Sequence, residues 1–531
     1  MNNDHPALDE LAPLSPDELY RQWVLTPEGD DGVHGWRKYS LHGWQLSAHP
    51  DAYVCELLSA EGDSLGWLLE PLAYLSADGG IVPKKKLTLP VSKNSDVAEF
   101  ERAFYGRDSA GYSDGTGIMG PWVAIIIGGP GGASISRVYL GASHSIVYHP
   151  QKRVVATSHN LVPGIQRNEE LSLAYDCLNR KSYFSFGLTA FQSLYRLLPN
   201  HYLDLDTFLS ERHWPSGALK PKHVGKEGAA AMVDHERRFL DALSSEYNSF
   251  KVFASAGRDS RAVLSMLRPF VADGADVILS TSVGSDLESQ TDLYVARRLA
   301  RITGLPHEVK RNTNKNSGNE DYMRRGFVRI GEAASSPGLF SSPGVHQRKP
   351  FDSNARFNLA GMGGETGRGP FWKKGVPSEP LTPEFLMEKV KAPLDNAEVK
   401  AATTKWLNEI PSEFREKNAD VLDLAYIEQR MGCWQAPMSY LSGGMINPGG
   451  LSRQSTSPMA EAFCYETMLR LPVEYRAAGV LQRDMVAYGW PELLSDIPFN
   501  EPTRLLRLRR FISRSVKNPR VIFGAIRSRL S

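Results

Sequence analysis

Six consecutive residues, Ser255-Ala256-Gly257-Arg258-Asp259-Ser260, place two hydroxyls, a glycine turn and a carboxylate where an apolar run gives way to a helical pattern. Residues 251–254 are short, largely apolar and bounded by small side chains, as a buried strand is. Asp259 and Ser260 are good helix-start residues, and Ala262, Val263, Leu264, Met266, Leu267 and Phe270 continue as an apolar face at helical spacing. Residues 250–271 therefore read as strand, turn and helix. The turn amides meet a helix N-terminus, where small side chains let an anion approach and the helix dipole favours it. A phosphate or pyrophosphate suits that position. Residues 357–371, FNLAGMGGETGRGPF, repeat the plan: an apolar strand enters a turn in which Gly361, Gly363, Gly364 and Gly369 surround one carboxylate, Glu365.

Such turns need a sheet to hold them. Residues 276–283 (DVILSTSV) form a second apolar run, residues 288–303 a helix, and residues 306–311 a third strand after a break at Gly304. Alternation at these lengths predicts a parallel sheet covered on both faces. Ligands bind such sheets at the carboxyl ends of the strands, where Ser255, Thr281 and Ser282 fall. A helix over residues 229–248, with Met232, Phe239, Leu240, Leu243 and Tyr247 as its apolar positions, delivers the chain to the loop. Asp292, on the next helix, reads as a solvated carboxylate. From residue 380 onward the pattern is helical, over 383–392, 396–409, 421–433 and 459–471.

Upstream, residues 42–215 are rich in short strands separated by Gly, Pro, Asp and Ser turns, which predicts stacked antiparallel sheets. Residues 1–40 read as a lead-in that packs on them. The run Gly128-Gly129-Pro130-Gly131-Gly132 lacks a following Gly-Lys-Ser/Thr and reads as a hairpin loop. His144 and His149 have no carboxylate partner in view and read as structural. Residues 214–228, polar with proline and glycine, mark the boundary between two domains.

Bulk properties bound the function. With 531 residues, 41% hydrophobic and 23% charged, the chain is a globular protein of more than one domain. A net charge of +1 supplies no overall field for nucleic acid. Cys55, Cys177, Cys433 and Cys464 are far apart and form no zinc or iron–sulfur spacing. No secretory leader or membrane-length apolar run is present, which predicts a cytoplasmic protein.

The loop 255–260 resembles the SGGxDS pyrophosphate loop of the ATP pyrophosphatase (PP-loop) group, with Ala256 in place of a glycine. The text after it resembles the asparagine synthetase-like branch. Residues 361–369 resemble that family's SGDGGDELFGGY segment, with Glu365 for its magnesium-binding aspartate, Met362 and Thr366 for other acids, and an uncommon Arg368. Residues 120–125, 137–141, 154–156 and 197–203 resemble landmarks of its N-terminal domain. Glutamine-dependent members begin that domain with a catalytic cysteine. Here Met1 is followed by Asn2 and Cys55 lies in a strand, so glutamine hydrolysis is not expected.

The resemblance covers residues 100–500 and implies an α/β and α+β chain of two domains. Residues 1–215 would be a degenerate Ntn-hydrolase-like pair of stacked antiparallel sheets. Residues 229–503 would be a HUP/Rossmann-like parallel sheet with a PP-loop and a helical extension, followed by a tail over 504–531. It implies ATP and Mg²⁺ as cofactors. Ser255 to Ser260, Thr281, Ser282, Gly361, Gly363 and Gly364 would line the nucleotide, and Asp259 and Glu365 would hold the metal. The substrates would be a carboxylate, activated as its adenylate, and an amine that displaces AMP. Glu428 reads either as a solvated helix carboxylate or, by the resemblance, as the glutamate that helps deprotonate the amine in lactam-forming relatives. Arg504 would stand in for a missing lysine beside pyrophosphate. The tail holds nine Lys or Arg and no Asp or Glu, which leaves open RNA, an anionic membrane, a protein partner or the chain's own acidic surface. A homodimer is also open. The alternatives are a non-catalytic nucleotide-binding or scaffold member and a PP-loop RNA-modifying enzyme.

Overall fold

A computed structural model describes residues 21–30, 32–108, 112–129, 131–141, 144–175, 183–221, 225–284, 286–311, 356–435, 455–495, 497 and 499. Antiparallel sheets occupy the N-terminal part and a parallel sheet with helices the C-terminal part.

Alternation of apolar side chains explains the layers. Along Val123–Ile126, Val123 and Ile125 face one core with Trp67, Leu69, Val138 and Leu140, while Ala124 and Ile126 face the opposite core with Phe100 and Phe104. A strand with apolar residues on both faces must be covered twice. One cover is a six-stranded sheet that contributes Trp23, Leu25, Trp44 and Leu46; the other is the helix Val97–Tyr105. The expected lead-in is partly wrong. Trp23–Pro27 is an interior strand, paired with both Trp44–Ala48 and Val154–Ala156, and Arg37–Leu41 is the edge strand beside them. The glycine run after Ile126 connects antiparallel neighbours, as a hairpin loop does. His144 is buried, and burial pushes its imidazole down to about 3, a neutral structural group.

In the C-terminal part the parallel sheet has five strands: β1 (Ser249–Phe253), β2 (Asp276–Val283), β3 (His307–Arg311), β4 (Phe357–Leu359) and β5 (Ser455–Thr456). Their order is β3-β2-β1-β4-β5. The chain steps outward from β1 to one edge, then returns to its other side with β4. The loops after β1 and β4 therefore leave adjacent strands at the place where connections diverge, the position at which open α/β sheets hold ligands. The helices that matter are α1 (Lys226–Ser244), α2 (Arg258–Met266), α3 (Leu287–Thr303), α4 (Asn418–Ala425), α5 (Ala462–Arg470) and α6 (Leu481–Gly489). A π-helical stretch, Tyr426–Gln435, prolongs α4. The two parts share one apolar core, in which Leu72, Met119, Phe186 and Trp214 cluster with Met232, Phe239, Ala425 and Ile427.

Candidate functional site

The first turn follows from its residues. β1 ends at Phe253, the Ala254 amide donates to the Ser280 carbonyl at 2.8 Å, and α2 starts at Arg258 with Gly257 as its N-cap. The first-turn amides of α2 have no intrahelical partner, as at any helix start, and no side chain caps them. Inside the loop the Ser255 hydroxyl accepts from the Gly257 amide at 3.0 Å and lies 2.8 Å from the Ser260 hydroxyl. Asp292 on α3 accepts from the Ala256 amide at 2.8 Å. The expectation of a solvated Asp292 is thus corrected: burial raises its pKa, and the Ala256 hydrogen bond offsets part of that rise.

The second turn lies directly against the first. A Cβ on Gly361 would fall 2.6 Å from the Ser260 amide nitrogen, and one on Gly364 would fall 2.5 Å from Asp259 Oδ1. These glycines are therefore required by close approach. Gly363 is required by its conformation as well, with φ of 89°. A short 3-10 turn, Gly364–Arg368, then carries Glu365, and Gln482 on α6 donates to the Gly364 carbonyl at 2.6 Å.

The two acids meet as a result. Burial, and then the charge of Glu365, push the Asp259 carboxyl up to about 7, against the opposing pull of Arg368 and Arg258. Arg368 Nη2 donates to Asp259 Oδ2 at 2.6 Å. Asp259 Oδ1 and Glu365 Oε2 are buried and have no hydrogen-bond partner among the described residues. Tyr426, at the start of the π-helical stretch, borders the pair; burial first and Glu365 second raise its phenol pKa.

Two orphaned carboxylate oxygens beside uncapped helix amides form a donor set of hard oxygens, the kind that suits Mg²⁺ shared with phosphate and water. Among the described residues no group of three His, Cys, Asp or Glu is placed to hold a metal ion, so a metal here would depend on ligand oxygens. The residues present fit that arrangement.

Other expected site residues fall elsewhere. Arg258 donates through Nη1 to the Gly479 carbonyl at 2.5 Å. Thr281 is buried and donates to the Ala254 carbonyl at 2.8 Å, so its hydroxyl braces the loop; Ser282 is exposed beside it. Glu428 is corrected most firmly. It is fully buried and accepts from Arg212 Nη1 and Nη2 at 2.6 and 2.9 Å, from Trp406 Nε1 at 2.6 Å and from Asn200 Nδ2 at 3.0 Å. A carboxylate so engaged is an ion-pair clamp between the two parts, and it has no lone pair left to serve as a base. Arg504 and the basic tail lie outside the described residues. Sequence reasoning missed the positions of Gln482, Gly479 and Tyr426, which come from helices far along the chain. Arg368 was visible as a departure from the family pattern.

This fold and site define an α/β unit with a helix-N-terminal loop and an acid pair at a divergence of parallel strands. Comparison with family models and with curated proteins found no match. Among solved structures 29 chains match, including the U34-tRNA thiolase NcsA from Methanococcus maripaludis with its 4Fe-4S cluster. That chain is 13% identical over 37% of this chain and 74% of its own, with a TM-score of 0.19, and a likeness of that size carries no argument about this protein. No helix among the described residues is long and apolar enough to cross a membrane.

Proposed function

We propose that this protein is an ATP-dependent, AMP-forming carbon–nitrogen ligase of the asparagine synthetase-like kind, without glutaminase activity. One observation supports it above the rest: two glycine turns about a hundred residues apart meet so closely that a single added Cβ would collide, and they bring Asp259 and Glu365 together. Asp259 and Glu365 would hold Mg²⁺, which neutralises phosphate charge and polarises the phosphoryl oxygens. The first-turn amides of α2 would bind the pyrophosphate end of ATP, aided by the helix dipole. Ser255 and Ser260 would donate hydroxyl hydrogen bonds to the same group, and Thr281 would keep the loop in place from beneath. The substrate carboxylate would attack the α-phosphorus, releasing pyrophosphate, and an amine would then displace AMP from the acyl group.

Calorimetry with Mg²⁺ and ATP, together with pyrophosphate release measured over pools of carboxylates and amines, tests this. The expected result is ATP binding in the wild type and loss of pyrophosphate release by roughly 100-fold or more in Asp259→Asn. Unchanged release in that variant removes Asp259 from the metal site, and absence of ATP binding overturns the ligase reading.

A scaffold reading has its own support. The Ala256 amide is taken by Asp292 and Asp259 by Arg368, so two groups that would meet a nucleotide are engaged within the chain. A folded protein that binds no nucleotide is its expected outcome.

A further inference from the structure

The site contains one charged group that the ligase reading leaves without a task. Arg368 sits between Glu365 and Gly369, whose φ is 54°, on the turn that faces Asp259. Among the described residues its hydrogen bond goes to Asp259 Oδ2, and its Nε is buried without a partner. Arg258, the neighbouring guanidinium, is held differently: it donates to the Gly479 carbonyl and lies over the Phe499 ring at 5.8 Å. Both side chains flank Gly479: a Cβ there would stand 3.1 Å from Arg258 Nη1 and 3.8 and 3.9 Å from Cγ and Cδ of Arg368. Arg258 is anchored to backbone, whereas Arg368 is tied to Oδ2 of the carboxylate whose other oxygen, Oδ1, is left for a cation.

We propose that Arg368 is the pyrophosphate-binding cation of this site: its guanidinium, which here neutralises Asp259, exchanges that carboxylate for phosphate oxygens when magnesium pyrophosphate or a magnesium nucleotide binds. The inference rests on the nucleotide reading above. The half-satisfied state of the cluster carries it. Two acid oxygens and one guanidinium nitrogen are buried without partners, and a buried polar network left incomplete is costly unless a ligand completes it. A divalent cation between Asp259 and Glu365 would place like charge beside Arg368 and release it. The released fork presents paired N–H donors to phosphate, a geometry that a carboxylate-bound arginine already has. The chain would then need no lysine from its C-terminal region for this task.

Two probes with opposite expected signs test the exchange: Mn²⁺ alone, and inorganic pyrophosphate in saturating Mg²⁺. Both are titrated by calorimetry into the full-length wild type, Arg368→Gln and Arg368→Lys, with thermal melts to establish folding. In Arg368→Gln, Mn²⁺ should bind about tenfold more tightly because its competitor is gone, while pyrophosphate should bind roughly 10- to 100-fold more weakly because its partner is gone. Arg368→Lys should lose severalfold in pyrophosphate affinity, since an ammonium lacks the planar fork; it decides the matter if the glutamine variant fails to fold. Equal or tighter pyrophosphate binding in the folded variants overturns the inference while leaving the nucleotide reading intact. A wild type that binds neither probe overturns both.

Discussion

At the scale of single residues, the site depends on the absence of side chains as much as on their presence. Gly361 touches the backbone of Asp259 and Ser260, so alanine there must push two turns apart. Gly217 has open space where a methyl group would stand, with nothing within 4 Å, and no left-handed φ. Gly361→Ala should therefore lower Mg²⁺–ATP affinity at least tenfold and cost about 1–3 kcal/mol of stability, whereas Gly217→Ala should be silent in both calorimetry and thermal melts. Equal behaviour of the two would show that the contact between the turns is loose. The loop 255–260 was legible in sequence because everything that defines it is local: an apolar strand, small turn residues and a helix start. Glu428 was not legible. Its partners stand at 200, 212 and 406, and helical periodicity around residue 428 carries no trace of them.

Elements, in turn, set how the residues are held. α3 packs on β2 and brings Asp292 back against the loop 255–260, so this helix acts as a brace for a turn 36 residues upstream. Asn can still accept from the Ala256 amide, but Ala cannot. Asp292→Ala should cost about 1–2 kcal/mol in denaturant unfolding and leave the loop amide unsatisfied, while Asp292→Asn should stay within about 0.5 kcal/mol of the wild type. A larger loss in the asparagine variant would mean that the charge of Asp292 matters beyond its hydrogen bond. Strand and helix spacing revealed the parallel sheet and three of its strands, because their alternation is regular, and the apolar run before the second glycine turn revealed a fourth. It did not reveal Trp23–Pro27 as an interior strand, since that segment is embedded in polar text and is buried by pairing with strands at 44–48 and 154–156.

Across the whole molecule, the junction between the two parts holds buried acids. Glu461 accepts from the Gly120 amide at 3.2 Å, near the buried Glu236 and Cys464. Burial pushes the Glu461 carboxyl up to about 8 from its ordinary 4.5, against the Gly120 and Thr456 hydrogen bonds; Glu236 is also raised, by burial and then by Glu461. The folded chain thus binds the Glu461 proton more tightly than the unfolded chain. Its contribution to stability is complete below pH 4.5 and is lost as pH rises through about 8. The melting temperature should fall between about pH 4.5 and pH 8, and Glu461→Gln, which stays neutral, should reduce that fall. Identical pH profiles for the two proteins would place the titrating group elsewhere.

The ion pairs across this junction limit how the chain can be divided. Arg212 neutralises Glu428 and Arg107 neutralises Glu466, each pair buried and each drawn from opposite sides of residues 214–225. Scission there would strand two unopposed positive charges on one fragment and two unopposed negative charges on the other, beside apolar surface newly open to solvent. Anyone seeking by truncation a minimal piece that carries the two glycine turns should expect insoluble material, and would do better to keep the sheets that precede it.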